Sequence, residues 1–217
     1  MKRLVIILLG LTITILTNGQ TIKIQGGTSI SNLNWELMGV NVDPIYEETL
    51  IGYSFFAGID YFDKQYFNLS SNIGMIRKGG KDEVQLTDIS GALTGQTITE
   101  KATLNYLSLN TTIDFKYSIK ETVTPFISFG PRFDYLLSSS EHFDGLEEID
   151  KLKNTSIGLI LGGGLKYDIS NIQFGLRADY YLDFAKVAEW KIENTGNDGE
   201  VTVNTFTVNI TIGYKLK

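Results

Sequence analysis

From about residue 20 onward, apolar and polar side chains alternate with a period of two, and no stretch sustains the 3.6-residue period of an amphipathic helix. In LIGYSFFAGIDYF, residues Ile51, Tyr53, Phe55, Ala57, Ile59 and Tyr61 fall on one face, opposite Gly52, Ser54, Phe56, Gly58 and Asp60. In YLSLNTTIDFKY, Leu107, Leu109, Ile113, Phe115 and Tyr117 oppose Ser108, Asn110, Thr112, Asp114 and Lys116. Neighbouring residues of a strand point to opposite faces, so the pattern predicts strands with one apolar and one polar face. Eight are predicted, over about 21–33, 50–62, 66–78, 104–117, 124–138, 156–168, 171–185 and 204–216.

The connections carry as much information. Short ones at DKQ, SIKETVT and SN alternate with long ones near 34–49, 79–103, 139–155 and 186–203. An even number of long strands, with tight turns at one end and long loops at the other, is the layout of an antiparallel up-and-down transmembrane β-barrel of the outer membrane.

Alternation does not say which face points inward, so a soluble barrel with an apolar interior has to be weighed. The apolar face carries on the order of 40 large side chains, whereas the packed interior of an eight-stranded barrel holds about a dozen. The polar face is Gly, Ser, Thr and Asn with Asp, Lys and Arg, and no glutamate falls on any strand as drawn. A solvated surface is normally rich in Lys and Glu. The apolar face has no charge until the rim position Arg77, as expected where a midplane Lys or Arg costs roughly 2 to 4 kcal/mol. The apolar face therefore meets lipid. Outward aromatics form two girdles: Tyr61, Phe67, Phe115, Tyr117, Tyr167, Phe174 and Tyr214 near the short turns, and Tyr53, Tyr135, Tyr180, Phe184 and Phe206 toward the long loops.

The segment GLILGGGLKYDIS, with Gly162, Gly163, Gly164 and Lys166, invites comparison with a phosphate loop. It lacks the required Gly-x-x-x-x-Gly-Lys-Ser/Thr spacing and a following helix. Ile157, Leu159, Leu161, Leu165 and Tyr167 instead fall on the lipid face, with Gly158, Gly162, Gly164, Lys166 and Asp168 inside. The segment is the sixth strand, and its glycines make room in a narrow lumen.

Residues 1–19 read as a cleaved signal peptide: Lys2 and Arg3, an apolar run from Leu4 to Leu16, then Thr17-Asn18-Gly19. The run is too short to span a bilayer as a helix. Residues 20–217 form the barrel domain. Removing Lys2 and Arg3 takes the net charge from -6 to -8, which argues against a nucleic-acid partner. Acidic residues outnumber basic ones in the four long connections, which therefore carry the negative charge. They are the candidate surface for a protein or ligand partner, alongside outer-membrane lipid and lipopolysaccharide.

There is no cysteine and one histidine, His142, so thiolate sites, disulfides and multi-histidine metal sites are excluded. Ser138, Ser139, Ser140, His142 and Asp144 contain the residue types of a nucleophile, base and orienter, but neighbours along one loop rarely reach triad geometry. ENTGNDGE, residues 193–200, offers oxygen ligands near glycines without the EF-hand register. No catalytic, cofactor or metal residue is assigned, and no enzyme activity is expected.

The early IKIQGGTSISNL, the central TPFISFGPRFDYLL, the GLILGGGLKYDI and FGLRADYYLDF hairpin and the closing VNITIGYKLK carry a family resemblance. The mature chain resembles the small porin-family outer-membrane β-barrel proteins of the PorT-like type, which share a shape with the OmpA and OmpX barrels. The resemblance implies an integral outer-membrane protein with a structural or loop-mediated role. A narrow pore or transport accessory is the alternative, and an outer-membrane enzyme comes third. Many such barrels end on an aromatic residue, whereas this chain ends Leu216-Lys217. Pro131 sits where a ladder N–H is expected, and a local bulge is predicted there.

On the strands as drawn, Lys23, Lys116, Arg132, Lys166, Arg177 and Lys215 face inward against Asp60, Asp114, Asp134, Asp168, Asp179 and Asp183. Phe56, Tyr106, Phe126 and Tyr181 add bulk. A plugged lumen of crossed ion pairs is the expectation.

Overall fold

The computed structural model describes residues 20–37, 46–119, 122–140, 152–191 and 198–216. These form nine strands: β1 (Thr21–Leu37), β2 (Glu48–Asp63), β3 (Phe67–Thr87), β4 (Leu93–Lys116), β5 (Val123–Ser139), β6 (Thr155–Ile169), β7 (Ile172–Asp183), β8 (Ala188–Lys191) and β9 (Asp198–Lys215). All strand pairings are antiparallel, each strand from β1 to β6 pairs with the next in sequence, β7 pairs with β9, and β1 pairs with β9 from Thr21↔Lys215 to Leu37↔Gly199. The ring is thereby closed and leaves no sheet edge at membrane depth, as a strand-built span requires. β8 lies on the same side of β9 as β7 and resumes the ladder beyond residues 184–187. β7 and β8 are in effect one interrupted strand, so the ring has eight.

The lipid-facing residues are those the alternation selects. Ile51 and Ile127 are 72% and 67% exposed, and both aromatic girdles lie on the outer surface. The polar partners Ser70, Asn72, Ser108, Thr112, Ser128, Thr207 and Asn209 are buried inside.

The strands outrun the predicted ones at the long-connection end. Most of 79–103, expected as a loop, is a continuation of the β3–β4 hairpin, with its turn at Asp88–Ala92. Glutamate does occur on the full-length strands, at Glu36, Glu48, Glu83, Glu100, Glu189 and Glu200. These residues stand beyond the lipid band, where a strand needs no apolar outer face and the sign of the alternation reverses. On β4 the outward positions change from Leu107 and Leu109 to Asn105, Thr103 and Lys101, while the inward ones change from Ser108 and Asn110 to Leu104 and Ala102. β9 switches in the same way between Phe206 and Asn204 outside, and between Thr205 and Val203 inside.

Pro131 forms no bulge. It pairs with Leu159 in unbroken β5–β6 register, and the β4–β5 ladder lapses opposite Gly130-Pro131 and resumes unshifted from Asn110↔Arg132 to Ile113↔Phe129. The missing N–H is absorbed by that lapse instead of by an extra residue. The β4–β5 shift lies higher, at Asn105/Tyr106. A second irregularity lies between β2 and β3, whose register runs from Thr49↔Gly80 to Ser54↔Ile76 with one extra residue on β2. Across it, β1 reaches β3. Ser31 Oγ donates to the Gly79 carbonyl at 3.0 Å and accepts from the Gly79 N–H at 2.9 Å, and Ser29 Oγ donates to the Arg77 carbonyl. Gly52, on the intervening strand, permits this approach, since a Cβ there would lie 2.6 Å from Ser29 Oγ and 2.8 Å from the Arg77 oxygen.

Candidate functional site

The lumen holds two separate charge networks, each neutral. In the one nearer the short turns, Lys23 pairs with Asp60 at 2.6 Å, Lys166 with Asp60 and Asp114 at 3.2 and 3.3 Å, and Arg177 with Asp179 at 2.7 Å and Asp114 at 3.5 Å. Three cations face three carboxylates. In the one nearer the long connections, Lys78 lies 2.9 Å from Asp134 and 3.2 Å from Asp183, and Arg132 binds Asp134 at 2.7 Å and also pairs with Asp183. Two cations face two carboxylates. Buried charge persists only when matched in this way.

The inward aromatic rings complete the packing. Phe126 lies under Lys166 and Arg177, at 5.1 and 5.8 Å from its ring centre. Tyr181 lies under Arg132 at 4.6 Å, and Lys78 sits 5.2 Å from Tyr106 and 5.4 Å from Tyr181. Cations at these distances are attracted to the ring faces. The glycines of β6 leave the space this arrangement needs: a Cβ at Gly162 would collide with the Asp179 carboxylate, and one at Gly158 would sit 2.9 Å from Arg132 Nη2. The cavity left beside Lys23, Phe126 and Lys166 is about 10 Å³, scarcely room for one water.

Beyond the second network the interior turns apolar. Leu33, Ala102, Leu104, Val201 and Val203 point inward from the ring, and Leu152, Val187 and Ala188 fold over them. Backbone bonds from Lys153 N to Val187 O (2.9 Å) and from Val187 N to Val201 O (2.7 Å) fix this cap. On its solvent side, Lys186 bridges Glu189 (3.1 Å) and Glu200 (2.5 Å), and Lys153 meets Glu189 at 3.0 Å. Hydrogen bonds from Lys153 and Lys186 hold the Glu189 carboxyl well below its usual value, at about 2.

The predicted inward charges are divided between core and rim. Lys23, Arg132, Lys166, Arg177, Asp60, Asp114, Asp134, Asp179 and Asp183 are in the two networks. Lys116 pairs with Asp63 and Lys215 with Asp168, at the short-turn rim. Sequence reasoning missed Lys78, which shares the inward parity of Asn68, Ser70 and Asn72 but closes its strand as drawn. It also missed the apolar cap.

The three serines continue the β4–β5 pairing. Ser138 Oγ accepts from Asn105 Nδ2 at 3.0 Å, Ser139 pairs with Leu104, and Ser140 Oγ accepts from the Thr103 N–H at 3.0 Å. His142 and Asp144 lie outside the described residues. So does most of ENTGNDGE; of the rest, Glu200 is engaged by Lys186. Among the described residues, no group of three or more acidic or histidine side chains is placed to hold a metal ion.

A closed eight-stranded ring, lipid-facing outside and filled by paired charge within, defines an integral outer-membrane β-barrel. Residues 11–189 match the family described as the outer membrane protein beta-barrel domain, and the chain belongs to that family. Among solved structures, the outer membrane protein OprG from Pseudomonas aeruginosa is similar at TM-score 0.54 and 12% identity, covering 90% of this chain and 95% of that one. Neisserial surface protein A gives TM-score 0.49 at 11% identity, with 90% and 97% covered. Ail, the attachment invasion locus protein of Yersinia pestis, gives 0.43 at 14%, with 92% and 100% covered. No curated protein matches the chain.

Proposed function

We propose that this barrel is a non-conducting outer-membrane protein that acts through what it presents at the cell surface, and that it performs no catalysis. The observation that carries the reading is the filled lumen: two neutral ion-pair networks closed by an apolar cap, with about 10 Å³ left open beside Lys23. A hydrated ion would have to break a buried pair and displace Leu33, Leu104 and Val187. The surface parts are the β3–β4 hairpin beyond the lipid band and the acidic long connections, which suit a protein or ligand partner. Outer-membrane lipid and lipopolysaccharide surround the barrel wall. Residues 1–19 serve as the export signal and are removed near Gly19.

Reconstitution of the purified barrel in planar bilayers tests this reading. No stable single-channel steps are expected. Reproducible conductance of hydrated ions would overturn it in favour of a narrow pore or transport accessory. Loss of a lipid- or peptide-cleaving activity in Ser140→Ala or His142→Ala would restore the enzyme reading.

A further inference from the structure

Arg77 is the first charge on the outer face of β3 above the lipid band, and it is positioned without being neutralised. Its Nε donates to Asn105 Oδ1 at 2.9 Å, and its guanidinium lies 4.9 Å from the centre of the Tyr53 ring. It makes no ion pair among the described residues. Two outward positions higher, Lys81 and Lys101 stand directly opposite each other in the β3–β4 ladder, where like charges repel. Glu48 meets Lys81 at 3.1 Å, which leaves Lys101 with no ion pair among the described residues.

The ground between these two levels is open to a ligand. Arg77 and Lys81 are four residues apart, about 13 Å along the strand. Gly79 between them carries no side chain, and its ladder partner Thr103 presents a hydroxyl at the same height. Beside Lys81 and Lys101 the wall opens into a groove of about 630 Å³, bounded on β2 by Thr49 and Ile51. Glu48 and Glu83 stand at the level of Lys81 and beyond it, so the unmatched cations lie on the bilayer side of the carboxylates. Directly beneath Tyr53, Arg77 and Asn105, the outward residues Phe55, Met75 and Leu107 form one row of ladder partners, all exposed to lipid.

The outer face thus passes from apolar wall to girdle ring to unmatched cations. This end carries the long connections and, on the orientation proposed above, lies in the outer leaflet, whose lipid is lipopolysaccharide. That lipid presents its groups in the matching order, acyl chains below and sugar phosphates directly above them. We infer that the patch binds lipopolysaccharide, a lipid A phosphate seated between Arg77 and Lys101 and acyl chains lying along Phe55, Met75 and Leu107. A guanidinium pairs with two phosphate oxygens at once, and the Thr103 hydroxyl supplies a further donor.

The purified barrel in detergent micelles, offered equal amounts of bisphosphorylated lipid A, the same lipid A after phosphatase treatment, and phosphatidylglycerol, tests this, the retained lipids being identified by native mass spectrometry. Bisphosphorylated lipid A should be retained over both others. One basic residue beside an anionic lipid corresponds to about a fivefold change, so Arg77→Gln and Lys101→Gln should each lower its retention by about that factor. The Lys101 side chain makes no hydrogen bond or ion pair among the described residues, so Lys101→Gln reads the site without disturbing the fold. Glu47→Gln, on the far wall of the groove, should not lower retention. Equal retention of treated and untreated lipid A, undiminished retention by Lys101→Gln, an equal loss in Glu47→Gln, or phosphatidylglycerol held as well as lipid A would overturn the inference. None of these outcomes involves conductance, so failure here leaves the filled-lumen reading standing.

Discussion

Arg132 is fully buried, and its guanidinium lies between Asp134, two residues along its own strand, and Asp183 on β7. Arg132→Ala leaves two carboxylates with Lys78 alone. The expected cost, read from the denaturant midpoint in detergent micelles, is about 3 to 5 kcal/mol. The double variant Arg132→Ala/Asp183→Ala removes one charge of each sign and keeps the Lys78–Asp134 pair at 2.9 Å, so it should be less destabilised than the single one. A double variant as unstable as Arg132→Ala or worse would show that lost packing, not stranded charge, sets the cost. Ser31 makes the second case at this scale. Its hydroxyl serves both backbone groups of Gly79 across the gap in the β2–β3 ladder. Ser31→Ala should cost about 1 to 3 kcal/mol by the same measurement, more than an ordinary surface hydroxyl, because buried backbone groups lose their partner. The nine network charges of predicted parity were legible in sequence because each lies within the lipid band, where alternation is strict. Lys78 was not, since a residue at a strand end has no alternating neighbour beyond it to fix its face. The bridging role of Ser31 was invisible, because it depends on a register shift between two other strands.

The strands show where pattern reading stops. Inside the bilayer the solvent of the outer face is lipid, and an apolar-out, polar-in period follows. Above it the outer solvent is water and the sign reverses, so β4 residues 93–103 and β9 residues 198–203 resemble loop or ordinary amphipathic strand. Their apolar inward residues then build the cap, with β8 pinned to β9 by the Lys153, Lys186, Glu189 and Glu200 cluster. The Glu189 carboxyl is held at about 2, below its ordinary value near 4.5, by its hydrogen bonds to Lys153 and Lys186. A carboxyl depressed in the folded state contributes stability above its unfolded value and loses it as pH falls toward the folded one. The cap should therefore loosen between about pH 4.5 and 2. Hydrogen exchange of the Val187 amide, corrected for its intrinsic rate, should accelerate across that window relative to amides deep in the lipid band such as Leu161. Equal protection for Val187 at both ends of the window would show that apolar packing alone holds the cap.

For the whole molecule, sidedness follows from where the chain turns. The strand ends at Thr21 and Lys215 pair with each other at the short-turn end, and the long connections and the extended β3–β4 ribbon lie at the other. Barrels of this class place short turns in the periplasm and long connections outside. In the ribbon, the strand backbones on both sides of the turn are paired as far as Thr87↔Leu93, and paired strands resist a protease that needs an extended, free segment. The turn itself is short and held together by Asp88, whose carboxylate accepts from Ser90 N at 2.8 Å, Ser90 Oγ at 2.5 Å and Ala92 N at 3.0 Å. Ile89 nevertheless projects from it with no neighbour covering it, at 110% relative exposure. A broad-specificity protease added to intact cells should therefore cut at residues 88–92, and not along the whole of 79–103 as a flexible loop would allow. Replacing Asp88 with Ala removes the three hydrogen bonds that organise the turn and should speed cleavage there without moving it. The DKQ turn, residues 63–65, should be cut only after the outer membrane is permeabilised. Cleavage at 63–65 in intact cells, with 88–92 protected, would invert the orientation and with it the assignment of the hairpin and acidic connections to the cell surface.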